Sequence, residues 1–329
     1  MSTSLRKNWN SYGGANRLDD LTLLATDSMS ISLDSVALHL RKGPVDRALS
    51  ALDDLLNCQK NDGDRWPQFK QFCAAHQLWE LLQQDPLTFR AATKPRGYAG
   101  DAVTMDYVYG LGEALEAESH ATQLGREIFR FTCERPASRA VRYRRTLIAE
   151  LIDGIAAEGM ARVLAIASGH LREVELSSAV RENRLEEFVA FDQDADSLEV
   201  VSREYARLGV TAMQGSVRQI LSGRVELGCY DFVYAAGLFD YLSDPVARAL
   251  IGRMFTMLRP GGRLLVPNFL PGARDNGYME AFMDWHLVYR DHGMMRGLAA
   301  SLPARDIADW KLFNDSDDAI AFLLVSKGA

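Results

Sequence analysis

Two short stretches hold residues whose types and spacing could do chemistry. In Val163-Leu-Ala-Ile-Ala167-Ser168-Gly169-His170-Leu-Arg172-Glu173 an apolar run ends in a small-residue turn, and a charged amphipathic segment follows at once. Gly169 lets the backbone turn where a β-carbon would clash, and exposes amide groups to whatever lies against the turn. One glycine is a weak signal, since a dinucleotide fingerprint has three. Its weight comes from Asp192, which ends the apolar run Phe188-Val-Ala-Phe191. That carboxylate stands roughly 20 residues beyond the glycine, where α/β nucleotide sites place a ribose-binding acid. The pair reads as the nucleotide corner of a Rossmann-like sheet.

The second stretch is Lys94-Pro95-Arg96-Gly97-Tyr98-Ala99-Gly100-Asp101. Proline and two glycines in so short a span demand a defined backbone path that is neither helix nor strand. Two readings stand side by side. Asp101 can cap a helix starting near Ala102 and hold the turn, or the turn is a lid that presents Arg96 and Tyr98 to a ligand.

The elements that must position these groups follow from periodicity. Up to about residue 25 the chain is polar, with Gly13-Gly14 a flexible spot and Trp9 and Tyr12 aromatic anchors that a lid could use. Helical spacing then runs from Ser35 to Leu56, broken at Gly43-Pro44, and from Gln68 to Gln84, where His76 reads as a boundary histidine. Further helices are expected over 101–109, 111–133 and 138–154. Beyond them strand and helix alternate: strands at 162–167, 187–191, 210–214, 230–235 and 262–267, helices at 172–182, 195–208, 245–258 and 278–290, and two last strands at 309–314 and 319–326. Such alternation implies a mostly parallel sheet with helices on both faces and an antiparallel hairpin at one edge. Residues 1–135 read as an all-helical cap and 136–329 as the sheet domain. Three more loops fall at strand ends, where ligands of such sheets bind: Gly215-Ser216-Val217, Ala236-Gly237-Leu238-Phe239-Asp240-Tyr241, and the segment through Asn268-Phe269 that follows the Arg259-Pro-Gly-Gly turn.

Bulk properties narrow the function classes. A formal net charge of −7 argues against a nucleic-acid footprint, and the Arg139–Arg145 run reads as a solvated helix face. Cys58, Cys73, Cys133 and Cys229 have no paired spacing, so a reduced, cytoplasmic setting is the simpler expectation. No signal peptide and no stretch of membrane-spanning length is visible. His286 and His292 are six residues apart, which makes no clean metal-ligand pair on a helix, and no metal is expected.

Together the strand-end loops resemble those of the class I S-adenosylmethionine-dependent methyltransferases, over about residues 140 to 329. That resemblance implies a seven-stranded sheet with an antiparallel last strand. It implies that Ala167, Ser168 and Gly169 lie against the methionine part, that Asp192 with Gln193 holds the ribose, and that Gly215, Ser216 and Val217 meet adenine. Ala236, Gly237, Phe239 and Arg96 complete the expected cofactor contacts. A narrower resemblance, from about residue 88 to the end, is to the bacterial 3-hydroxypalmitic acid methyl ester biosynthesis proteins. It rests on the 94–101 stretch, Gly215-Ser-Val-Arg218, Gly237-Leu-Phe-Asp-Tyr241, Asn268-Phe269 and Asp284-Trp285-His-Leu-Val-Tyr289-Arg290, and it moves the 94–101 stretch towards a functional role. Such proteins more often carry Cys-Gly-Pro where this chain has Ser168-Gly169-His170, a change that bears on the acceptor more than on the cofactor. The azetidine-2-carboxylate synthases of peptide natural-product pathways are kept as a related possibility, since they look like methyltransferases but cyclise the aminobutyrate arm of S-adenosylmethionine.

A sulfonium is a cation, so aromatic faces are its natural wall, and Tyr98, Phe239, Tyr241, Trp285 and Tyr289 form the pool. Transfer needs positioning and exclusion of water, which a helical cap would supply. A carboxylate acceptor needs no base; for an alcohol or amine, His170, Asp240 or His286 could serve, although His170 reads first as a holder of its loop. The residues expected to act in catalysis are Tyr98, Asp240, Tyr241, Asn268 and His170. The first expectation is methyl transfer to a small acceptor, a carboxylate among the candidates. Cyclisation of the cofactor is the second, and a non-catalytic cofactor-sensing module the third. Acceptor identity and oligomeric state are not readable.

Overall fold

The computed structural model describes residues 30–329. The expectations for Trp9, Tyr12 and Gly13-Gly14 lie outside the described residues. Helices come first: α1 over 30–42, α2 Val45–Asn61, α3 Trp66–Ala75, α4 Leu78–Leu82, α5 Pro86–Thr93, α6 Ala102–Tyr109, α7 Glu113–His120, α8 Gln123–Cys133 and α9 Pro136–Ala156. Their starts are chemically marked. Asp85 accepts from the amides of Leu87 and Thr88, Asp101 from Thr104, and Thr122 from Gly125, each an N-cap that satisfies an orphan donor. Two stretches expected as single helices are therefore split. The 68–84 segment breaks at His76, whose ring nitrogen accepts from the Leu78 amide. The 111–133 segment breaks at Thr122, where a β-carbon on Gly125 would fall 2.2 Å from the Gln84 carbonyl oxygen.

The sheet follows as β1 Ala161–Ile166, α10 Ser178–Arg181, β2 Leu185–Asp192, α11 Ala195–Tyr205, β3 Val210–Gln214, α12 Val217–Leu221, β4 Tyr230–Tyr234, α13 Asp244–Thr256, β5 Leu258–Phe269, α14 Asn276–Phe282, α15 His292–Ala299, β6 Ile307–Asn314 and β7 Ile320–Lys327. Seven strands take the order β3-β2-β1-β4-β5-β7-β6, with β7 antiparallel to both neighbours. Strand order reverses between β1 and β4, and the crevice outside their carboxyl ends is where such sheets take ligands. Alternate residues of β1 serve opposite faces. Val163 and Ala165 pack with the N-terminal helices and α14, while Leu164 and Ile166 pack with α13 and α15.

Three expected elements differ, each through contacts distant in sequence. The 172–182 helix is a 3-10 turn at Arg172–Glu175 and the single turn α10, because Asp153 of α9 accepts from the Ser177 hydroxyl and the Ser178 and Ala179 amides. The fifth strand starts at Leu258 and carries the Pro260-Gly-Gly turn as a bulge: Leu258 pairs with Tyr230, and Arg263 already with Phe232. The 278–290 helix stops at Phe282; beyond it the chain is drawn out, with Val288 donating to the Asp240 carbonyl and Arg290 to that of Phe269. Asp291 then caps α15, which the periodicity did not suggest.

The N-terminal helices are joined to the sheet by a buried cluster. Arg135 donates to Asp53 of α2 and, at 3.0 Å, to Asp275 beside α14, with its guanidinium 4.2 Å above the Tyr278 ring. All three charged groups are buried. Burial, with Asp275 repulsion added, pushes Asp53 up to about 6 even against the neighbouring Arg135. Arg135→Met should therefore cost about 3–5 kcal/mol, because it strands two buried carboxylates. Urea unfolding at neutral pH reads this directly, and a loss below about 1 kcal/mol would show that the cluster does not hold the two parts together.

Candidate active site

A cavity of about 490 Å³ lies at the β1/β4 switch point, within the size range of small-molecule pockets. It brings together most of the expected residues: Tyr98, Ala167, Ser168, Gly169, His170, Asp192, Gln193, Gly215, Val217, Ala236, Gly237, Asp240 and Tyr241. Its walls are mostly apolar, with Trp285 and Leu287 from the drawn-out segment after α14.

The loop after β1 follows a costly path. Ala167, Gly169 and Leu171 have φ of 52°, 53° and 55°, and the left-handed region costs a residue with a β-carbon about 1–2 kcal/mol. Two carboxylates hold it there. Asp192 Oδ2 accepts the Gly169 amide at 2.8 Å while Oδ1 accepts that of Asp194 at 2.9 Å. From the other side Asp106 of α6 accepts from His170 Nδ1 at 2.8 Å and from Arg172 Nε and Nη2, both at 2.8 Å. Arg96 Nη1 approaches His170 Nε2 at 3.3 Å. An ionised carboxylate only accepts, so Nδ1 carries the proton towards Asp106. Both ring nitrogens are thus engaged, and His170 holds the loop. Burial raises Asp192 above the ordinary carboxylate value although neighbouring backbone amides stabilise its charge. Burial would also raise Asp106, but the bonds from Arg172 and His170 override it and hold it low.

The 94–101 turn serves structure and site at once. Asp101 caps α6 and receives Arg90 at 2.9 Å. Tyr98 and Gly100 face the cavity, Tyr98 edge-on to Tyr241 with ring centroids 6.1 Å apart. Burial, then the charges of Asp192, Asp101 and Asp194, push the Tyr98 phenol up to about 12. Trp285 donates its indole N–H to the Tyr241 hydroxyl at 2.8 Å. A β-carbon on Gly100 would fall 2.3 Å from that hydroxyl, so only glycine fits under this aromatic pair.

Four expected residues do not line the cavity. Arg96 points instead to Asp194 and Ser197, both at 3.0 Å, and pins the turn to the start of α11. Ser216 caps α12 in a capping box with Gln219. Phe239 is wholly buried in the core on the α13 face. Asn268 is equally buried, donating to the carbonyls of Phe269 and Val288 and accepting from Arg290 at 2.7 Å. Its amide is consumed in fixing the drawn-out segment. Asp240 does face the cavity; Oδ1 accepts the Phe269 amide at 2.7 Å, and burial pushes its carboxyl up to about 6. His286 pairs with Asp284, and His292 with Asn314.

Met105, Asp106, Tyr109, Arg144 and Glu173 line the cavity and were not foreseen. Arg144 lies in the arginine run expected to be solvated, yet it is 4% exposed. The available signal was its place among Val141, Ile148 and Ile152, the apolar stripe of α9.

Residues 163–262 match the family model described as Methyltransferase domain, a span containing the loop after β1, Asp192, the 215–217 loop and Asp240. The chain carries a class I methyltransferase domain. It is an S-adenosylmethionine-dependent enzyme, and that compound is its cofactor. Solved structures similar to this methyltransferase in fold include a possible exported protein from Bordetella parapertussis, at 17% identity over 70% of this chain and 80% of that one, with a TM-score of 0.54. The CurJ carbon methyltransferase is similar at 11% identity over 74% of this chain and 66% of that one, with a TM-score of 0.51. No curated protein sequence matches the chain. The cavity fits the cofactor on two observations. Asp192 spends one acceptor site per oxygen on amides, and an ionised carboxylate has about four, so capacity for a diol remains. The Ser168 hydroxyl is buried in the wall with no protein partner, an orphan that a polar ligand arm would satisfy. Among the described residues no helix is long and apolar enough to cross a membrane.

Asp106→Asn should cost the methyltransferase about 2–4 kcal/mol at pH 7, since it removes the charge facing buried Arg172. The folded carboxyl lies below its unfolded value, so the wild type's advantage is full above about pH 4 and shrinks as pH falls through the folded value. Urea midpoints from pH 7 to 3 test it; a gap that widens on acidification would mean that Asp106 is not held as the anion.

Proposed function

We propose that the enzyme transfers a methyl group to a small acceptor, with residues 1–135 as a cap and 136–329 as the cofactor-binding domain. The observation that carries this reading is Asp192. It ends the strand beside the switch point, faces the cavity and keeps acceptor capacity on both oxygens. In this reading Asp192 and Gln193 take the ribose, Gly215 and Val217 flank the base, and Ala167, Ser168 and Gly169 run along the methionine arm. When bound, the cofactor supplies an electrophilic methyl carbon on a sulfonium. Tyr98, Tyr241 and Trp285 wall that cation and exclude water. Asp240, a buried carboxyl with a value near 6, takes the proton of an alcohol or amine acceptor. A carboxylate acceptor, giving a methyl ester, leaves it idle. His170, Arg96 and Asn268 act by position.

The same Asp240 favours a second reading. A buried carboxylate in an enclosed pocket can take the proton of the cofactor's own ammonium, and the freed amine can close on the γ-carbon to give azetidine-2-carboxylate and methylthioadenosine. The two readings part at the nucleoside product. With purified enzyme and S-adenosylmethionine, transfer gives S-adenosylhomocysteine and only when an acceptor is added; methylthioadenosine well above the no-enzyme background, with azetidine-2-carboxylate beside it, would favour the cyclase instead. Asp192→Ala should weaken S-adenosylhomocysteine binding by about 2–3 kcal/mol in calorimetric titration, the scale of a charged hydrogen bond. Unchanged affinity in the folded variant would remove the ribose assignment.

A further inference from the structure

Among the described residues four arginines are buried: Arg135, Arg144, Arg172 and Arg290. Three sit on carboxylates. Arg135 has Asp53 and Asp275, Arg172 has Asp106, Glu175 and Glu204, and Arg290 has Asp244 at 2.9 Å. Arg144 is the exception. Its polar contacts are the Met105 sulfur at 3.8 Å and the neighbouring Tyr109 phenol, and no described carboxylate pairs with it. The side chain lines the main cavity. A guanidinium cannot shed its charge, and a buried unpaired cation is costly. Glu173 and Asp240 oppose it only at longer range, and each already accepts a closer bond, from the Tyr234 hydroxyl at 2.5 Å and the Phe269 amide at 2.7 Å. Space is kept beside it: a β-carbon on Gly237 would lie 3.6 Å from Arg144 Nη1, so a larger side chain there would crowd the fork.

We propose that Arg144 is the carboxylate receptor of this cavity, closing a bidentate pair with a carboxylate carried by a bound small molecule. The inference rests on the cofactor reading above. Two ligands can bring that group: the aminobutyrate arm of S-adenosylmethionine, or a carboxylate acceptor. Either one supplies the counter-charge that the fold withholds from this arginine alone. The pairing also orients its ligand, since a planar fork accepts a carboxylate in one plane.

Calorimetric titration of the wild type, Arg144→Met and Arg144→Lys separates the sources. The probes are S-adenosylhomocysteine, its decarboxylated analogue S-adenosyl-3-thiopropylamine, and methylthioadenosine. If the arm is the source, the wild type prefers S-adenosylhomocysteine over the decarboxylated analogue by about 10- to 100-fold, the span of a charge-assisted bond. Arg144→Met then loses that preference, Arg144→Lys keeps part of it, and methylthioadenosine binds all three proteins alike, which shows an intact fold. If the acceptor is the source, Arg144→Met binds S-adenosylhomocysteine as the wild type does. Hexanoate then binds the wild-type complex but not the Met variant's, and hexanamide binds neither. An unchanged preference together with no Arg144-dependent hexanoate binding overturns the assignment. Failure of methylthioadenosine to bind the wild type would instead overturn the nucleoside site, whatever Arg144 does.

Discussion

Asp106 is carried by a helix of the N-terminal region, yet its hydrogen bonds run to the loop after the first strand of the sheet. Gly169 turns in that loop without strain, but Ala167 and Leu171 on either side of it also lie in the left-handed region, where a β-carbon is costly. Asp106 and Asp192 grip it from opposite sides and offset that cost. Arg172 extends the grip to Glu175, Glu204 and the Tyr205 hydroxyl, so α6, the loop and α11 share one buried network. Water cannot replace such partners in a buried site, which makes the loop's shape conditional on the docked N-terminal helices.

The same constraint explains how the cavity is closed. Its upper wall is the 94–101 turn, and each end of that turn is tied down by charge: Lys94 on Asp284, Arg96 on Asp194, Asp101 beneath Arg90. Its rear wall is the drawn-out segment after α14, held by Asn268, Asp240 and Arg290. Polar side chains expected to meet substrate are consumed in building these walls. What they leave facing the cavity is aromatic, apolar or paired, with the Arg144 guanidinium as the main exception.

The parts of the site that were legible in the sequence are those built locally. A strand, a glycine turn and a strand-end acid lie within one β-α-β unit, so Gly169 and Asp192 could be matched by spacing alone. The seven strands were placed by alternation for the same reason. The misses share another cause. Asp153 cuts the helix expected after the loop, and Asp240 and Asn268 draw out the segment expected as a helix after Tyr278; both contacts cross the fold. Arg144 looks like an ordinary polar position on an amphipathic helix and Asp106 is a lone acid in a short, largely buried one, because periodicity gives the buried face but not which part of it borders a cavity. Ser216 and Asn268 show the converse, since a polar residue beside a motif is as readily a cap or a brace as a ligand.

The most direct measurement is a crystal structure of the full chain with S-adenosylhomocysteine. The ribose hydroxyls should lie on Asp192, the base beside Gly215 and Val217, and the arm along Ser168 and Gly169, with the Asp106–His170–Arg172 bonds intact. A nucleoside bound elsewhere, or a ribose turned away from Asp192, would contradict the account.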